Sequence, residues 1–173
     1  MRGKEIILFC VLALAVLACT HTEPKPDTAA ASPAAAEVKD ETGRTPLMIA
    51  VDTGNTDGAR KLIEDGAEVN AENPAGVTPL MNAAGMGNKE LVELLIRKGA
   101  DVNHKTSGNY TPLMQASLVG QTEIVKILLE AGADPNIADN AGRTAAAYAE
   151  EKQHPEILAM LKKKSGESRG GKK

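Results

Sequence analysis

The sequence has almost no aromatic residues and almost no cysteine. Its 173 residues include no Trp, one Phe and two Tyr, so a core must be built from Leu, Ile, Val, Met and Ala. Both cysteines, Cys10 and Cys19, lie within the first 19 residues. Residues 20–173 therefore cannot form a disulfide framework, a Cys-ligated zinc site or a Cys nucleophile.

Motifs for catalysis and metal binding are missing as well. The sequence contains no phosphate-binding Gly-rich loop, no G-x-S-x-G and no H-E-x-x-H. The three histidines, His21, His104 and His154, are far apart, and we interpret them as solvated side chains. We expect no catalytic residue, no metal site and no cofactor. A hydrolase or a metal carrier is the alternative from another functional class, and the missing site residues disfavour it.

Charge is distributed unevenly along the chain. Residues 20–161 contain 12 Lys and Arg against 21 Asp and Glu, whereas residues 162–173 contain six against one. An acidic body disfavours nonspecific binding to nucleic acid, so we expect no nucleic-acid partner. Residues 165–173 are predicted to form a basic, disordered tail, and docking of this tail on anionic lipid headgroups is the alternative.

The N-terminus has the pattern of an export signal. A basic start is followed by 13 uncharged, mostly apolar residues, Ile6 to Ala18. A membrane span needs about 20 apolar residues, so we interpret residues 1–18 as a signal peptide. Residues 19–39 are rich in Ala and Pro. Such a segment buries too little apolar surface to fold, and we predict a disordered tether.

The end of the apolar run, Val16-Leu17-Ala18-Cys19, resembles a bacterial lipobox. In that motif the Cys becomes the lipidated first residue of the mature protein. The resemblance implies that Cys19 is lipidated and that the exported protein is anchored in the periplasm or at the outer membrane. Ordinary cleavage after Ala18, which leaves Cys19 free, is the alternative.

A repeat of 33 residues fills the rest of the chain. The tetrapeptide Thr45-Pro46-Leu47-Met48 recurs at residues 78–81 and 111–114, and a Gly-Ala pair recurs at residues 66, 99 and 132. Thr followed by Pro is a good helix start, and Gly is a good helix end. We predict a short helix, a second helix typified by Lys89–Lys98 and a turn-rich finger loop in each repeat. The predicted domain spans residues 40–164, and its repeats are 40–72, 73–105, 106–138 and a weaker copy at 139–164.

This pattern resembles the ankyrin repeat, whose signature is D-x-x-G-x-T-P-L-H-x-A followed by an apolar helix and G-A-D-x-N. Met48, Met81 and Met114 stand where the family usually has His, and we interpret them as core residues. The resemblance implies an all-α solenoid of four helix-turn-helix repeats with hairpin-like finger loops. It also implies binding of a protein partner through the finger loops and the concave face of the first helices.

Carried over position by position, the resemblance gives candidate protein-binding residues with an apolar centre and a charged rim. The apolar residues are Val77, Met86, Tyr110, Leu118 and Val119, and the rim residues are Arg44, Asp52 and Arg143. We expect Tyr110 to be the main anchor and expect Tyr110→Ala or Leu118→Asp to leave the melting of the domain nearly unchanged. The alternative is that Leu118 and Val119 partly cover the core. Asn82 and Gln115 occupy equivalent positions, and we interpret them as half-exposed polar residues; hydrogen bonding across the stack is their alternative.

The sequence therefore predicts a non-catalytic protein-binding module of the bacterial cell envelope that acts as a monomer. One alternative is an immunity-type inhibitor of a toxin, since an acidic surface suits a basic enzyme. Another is an accessory protein that supports an envelope enzyme, such as an oxidative-stress enzyme.

Overall fold

The computed structural model describes residues 38–170. The predicted signal peptide, Cys19, nearly all of the predicted tether and the last three residues of the predicted tail lie outside the described residues. Within residues 38–170 the secondary structure is all helical apart from one isolated bridge between Ala138 and Thr144, which confirms the predicted all-α class. The helices are α1 (Pro46–Asp52), α2 (Thr56–Glu64), α3 (Pro79–Met86), α4 (Lys89–Arg97), α5 (Pro112–Val119), α6 (Thr122–Glu130), α7 (Ala145–Glu151) and α8 (Pro155–Gly170).

The helices begin where the sequence predicts. Thr45 and Thr111 each cap a first helix, because their Oγ1 atoms accept the N–H groups of Met48 and Met114 at 3.3 Å. The second helices α2 and α4 are capped by Asn55 and Asn88. Each repeat is thus a pair of short helices with defined starts.

The turn between the two helices needs a left-handed residue. Glycine fills that position in the first three repeats, whereas Gln153 fills it in the fourth at φ 59°. A left-handed conformation costs a residue with a Cβ roughly 1–2 kcal/mol. The fourth repeat therefore keeps the turn geometry of the others at an energetic cost.

The core lies between two layers of helices. The first helices α1, α3, α5 and α7 stack on one another, and the second helices α2, α4, α6 and α8 form the other layer. Met48, Met81 and Met114 are at most 3 % exposed, which confirms that the three periodic methionines fill the core. Fully buried leucines such as Leu91 and Leu113 pack with them.

Asparagine side chains join successive repeats. Asn70 donates from Nδ2 to the Gly99 carbonyl at 3.0 Å, and its Oδ1 accepts the N–H of Asp101 at 2.9 Å. Asn103 makes the same two bonds to Gly132 and Asp134 of the third repeat, at 3.1 and 2.8 Å. Asn136, at the equivalent position of the third repeat, donates instead to Asp134 in its own loop.

The C-terminal boundary differs from the prediction. Helix α8 continues to Gly170, past residue 164 where the sequence analysis ends the domain. Residues 165–170 are helical where a disordered tail was expected. The segment is polar and carries two glycines, so its composition does not predict a helix. The preceding turns, which bury Ile157 and Leu161, form a helix that continues into this segment.

Candidate protein-binding surface

The first helices form one face of the domain, called the first-helix face below, and it carries a shallow groove. The groove is lined by Asp52, Asn82, Gly85, Met86 and Gln115, which come from α1, α3 and α5. A Cβ at Gly85 would lie 2.7 Å from Nε2 of Gln115. The missing side chain at Gly85 therefore gives the Gln115 amide room to lie across α3.

Two large apolar side chains are exposed on this face. Met86 is 48 % exposed and Val119 is 47 % exposed. They are the last residues of α3 and α5 and stand one repeat apart at equivalent positions. Packed helices lie about 8–10 Å apart, so the two side chains form a short apolar strip. Their role in binding stays a prediction.

The other apolar candidates are partly structural. Tyr110 is half-buried, and its ring packs edge-on against the buried Tyr148 with 5.4 Å between ring centroids. Burial raises the pKa of Tyr110 to about 12. Leu118 is half-buried against the core, as the alternative in the sequence analysis holds. The expectation that Tyr110→Ala or Leu118→Asp leaves melting unchanged is therefore wrong, because either change removes packing.

Val77 is half-buried in the second finger loop. Its N–H donates to Oδ1 of Asn73 at 3.0 Å, which fixes the turn of that loop. The structure thus places Val77 at the base of a finger and leaves only part of its side chain for a partner.

The rim charge of the first repeat is neutralised within the protein. Arg44 pairs with Asp40 at 3.0 Å and with Asp52 at 3.4 Å. Hydrogen bonds from the Thr42 hydroxyl and the Arg44 N–H hold the pKa of Asp40 well below its usual range. Asp52 also accepts the amide of Asn82 at 2.5 Å, which links α1 to α3. Arg44 and Asp52 therefore form one cluster at the first-repeat end of the face.

The rim charge of the fourth repeat is neutralised in the same way. Arg143 lies over the Tyr148 ring, 4.5 Å from its centroid, and pairs with Asp139 at 3.1 Å and with Glu151 at 3.8 Å. The Tyr148 hydroxyl donates to Asp139 at 2.6 Å. This bond, together with the Arg143 N–H, lowers the pKa of Asp139 to about 2.

The predicted site omits two residues that line the groove, Asn82 and Gln115. Both are half-exposed, as interpreted from the sequence, and the bond from Asn82 to Asp52 shows that an amide in this row also bonds across the stack. The sequence offered one signal for these two residues, which is the row of positions spaced by 33: Ile49, Asn82, Gln115 and Tyr148. It shows a change from apolar to polar in the two central repeats.

Two histidines join neighbouring repeats. His104 is half-buried, with Nε2 3.0 Å from the carbonyl oxygen of Gly76 and 3.5 Å from a carboxylate oxygen of Glu72. His154 packs against Gly120, because a Cβ at Gly120 would lie only 2.5 Å from Cε1 of His154. Both histidines are partly covered by neighbouring finger and turn backbones, and so only part of each side chain is solvated. His21 lies outside the described residues.

Residues 38–170 show neither a metal-binding cluster nor a membrane-spanning helix. No three His, Cys, Asp or Glu side chains in this part of the chain are grouped so that they could hold a metal ion. None of its helices has the length and apolar character to cross a membrane.

Comparison with known families gives a match over most of the chain. A family model described as ankyrin repeats (3 copies) matches residues 69–139 and 106–169. A second, described as ankyrin repeat, matches residues 42–74. A search of curated proteins finds no match. The family matches include seven helices in full and α8 up to residue 169, and so they take in the fourth repeat, whose signature is the most altered.

Proposed function

The chain belongs to the ankyrin-repeat family, and on that premise we propose that it is a non-catalytic protein-binding module of the bacterial cell envelope. Ankyrin repeats are general protein–protein interaction modules. The partner binds the first-helix face and the finger loops, and the module acts as a monomer.

The observation that carries this proposal is the exposed strip of Met86 and Val119. Both side chains are nearly half exposed, although they stand at the centre of a row whose outer members are Thr53 and Lys152. Exposed apolar side chains that adjoin one another and have a polar rim are typical of protein interfaces. The adjacent groove adds the amides of Asn82 and Gln115, which offer donors and acceptors to a partner's backbone.

The charges around this strip indicate the chemistry of the partner segment that can bind there. Arg44 and Arg143 are each paired with carboxylates of the same domain. Paired rim charges give little net electrostatic attraction. The partner segment that meets the strip is therefore apolar and uncharged, and its binding changes little with salt.

The envelope location rests on the sequence. The basic start, the apolar run from Ile6 to Ala18 and the following Cys19 support export and lipidation. Labelling with a palmitate analogue tests this step. Label on the wild type that disappears in Cys19→Ser supports the anchor, and an unlabelled wild type contradicts it.

Capture from cell envelopes tests the binding face. The wild type and the double variant Met86→Asp, Val119→Asp serve as baits, because these exposed positions change the surface without removing core packing. Thr53→Asp, Lys152→Asn is the matched control at the outer positions of the same row, because it lowers the net charge by two as the central variant does. We expect one protein to be retained by the wild type and the control and lost by the central variant.

The other outcomes separate the alternatives. Equal retention by all three baits contradicts the first-helix face as the binding site. Retention of an envelope enzyme favours the accessory role. Binding only to a basic toxin domain encoded beside the gene favours the immunity-type inhibitor.

A further inference from the structure

A second groove lies on the opposite layer, between α6 and α8. Leu129 and Met160 are half-buried there and pack against the core, so they form an apolar floor. Exposed charged side chains border the groove: Lys126, Lys163, Lys164 and Glu130. Its volume is about 210 Å³, which is room for one or two side chains.

The charges of this groove are opposite in sign to those at equivalent positions of the preceding junction, which lies between α4 and α6. By the 33-residue period, Lys126 corresponds to Glu93, and Lys163 corresponds to Glu130. At the earlier junction the charges are paired, since Glu93 lies 3.8 Å from Arg97 and 4.0 Å from Lys89. At the α6–α8 junction three lysines face one glutamate.

Neither ion pairing nor helix-end chemistry accounts for Lys126 and Lys163. Among the side chains that the structure describes, Lys126 and Lys163 form no ion pair. Positive charge stabilises a helix only near its last turn, and α8 continues to Gly170. Lys163 therefore lies about two turns before the end of its helix, too far to interact with its terminal carbonyls.

We propose that this groove binds an acidic peptide segment of a partner protein. One apolar side chain of the segment packs on Leu129 and Met160, and flanking carboxylates pair with Lys126 and Lys163. A partly apolar concave site suits a peptide, whereas a membrane offers a broad layer of headgroups. This site is separate from the first-helix face and does not depend on it.

Two labelled peptides test the proposal by fluorescence anisotropy with the full chain. The first is Glu-Glu-Leu-Glu-Glu, and the second has Gln in place of every Glu. We expect the acidic peptide to bind and to bind more weakly as salt rises, and we expect the Gln peptide not to bind.

Variants locate the site. Lys126→Glu with Lys163→Glu places Glu at the two positions that hold Glu93 and Glu130 in the preceding junction. We expect it to weaken binding at least about tenfold, because two attractions become repulsions. Lys61→Glu with Lys98→Glu changes the net charge equally at exposed positions outside the groove and should bind like the wild type. Circular dichroism checks folding, and Lys126→Gln with Lys163→Gln, expected to be intermediate, replaces the double Glu variant if that fails to fold.

Three results would overturn the proposal. The first is equal binding of the acidic and Gln peptides. The second is an equal loss of binding in the groove variant and its matched control. The third is binding to vesicles that contain phosphatidylglycerol without binding to the acidic peptide, which would make a membrane the occupant.

Discussion

Replacing Gln153 by Gly should stabilise the domain. Gln153 is exposed and has φ 59°, a left-handed conformation that costs a residue with a Cβ roughly 1–2 kcal/mol. Glycine removes that cost but loses about 0.5–1 kcal/mol more conformational freedom on folding. The expected net gain in the free energy of unfolding is therefore about 0.5–1 kcal/mol, which for a domain of this size corresponds to roughly 2–4 °C in Tm.

The matched control is Asn109→Gly, because Asn109 has the same φ of 59°. Asn tolerates this conformation better than Gln, and the Asn109 amide donates to Asn140 at 2.7 Å. Replacing it should give no gain and should cost about 0.5 kcal/mol for the lost surface hydrogen bond. Because both residues have the same φ, the contacts of the side chain should decide whether the change to Gly raises or lowers the free energy of unfolding.

Urea unfolding followed by far-ultraviolet circular dichroism measures both variants. Gln153→Gly should raise the midpoint without changing the slope, and Asn109→Gly should leave the midpoint unchanged or lower it. A lower midpoint for Gln153→Gly, or equal shifts for both variants, would refute the strain assigned to Gln153.

Two further predictions concern the junctions of the repeats. Asn103→Ala should lower the free energy of unfolding by about 1–2 kcal/mol, because two inter-repeat hydrogen bonds are lost. Asn136→Ala should lower it by less than about 0.5 kcal/mol. Equal urea midpoints for the two variants would contradict this difference. The pKa of Asp139 falls from 3.8 to about 2 on folding, so its ionised form stabilises the fold above pH 3.8 and this contribution disappears as the pH drops towards 2. Asp139→Asn should therefore flatten the fall of the urea midpoint over that range, and an unchanged pH profile would show that Asp139 does not contribute.

The repeat period was sufficient to predict the helices. The Thr-Pro starts and Gly ends act through local backbone geometry, so α1 begins at the predicted Pro46 and α4 (Lys89–Arg97) lies within one residue of the predicted bounds. The end of α8 depends on cooperative extension of a helix that is already formed. The polar residues after Lys164 give no local sign of that extension.

The candidate site was predicted less completely than the fold. Position within the repeat placed Met86 and Val119 on an exposed face, but it could not show how much of Tyr110 and Leu118 is covered. The cover over Tyr110 comes from the next repeat, whose Tyr148 ring lies 5.4 Å from the Tyr110 ring between centroids. The polar contacts of His104 likewise depend on the neighbouring finger loop, which a single repeat does not reveal.

The bonds of Asn70 and Asn103 have a consequence for how such a protein can evolve. Each asparagine joins only its own repeat to the next, and it does so with the same pair of backbone partners. A tandem duplication of one 33-residue unit would supply both halves of the additional junction at once. Duplication can therefore lengthen the domain by whole repeats while the first and last repeats stay unchanged. The surface available for binding a partner then grows, and the core residues of each repeat need not change.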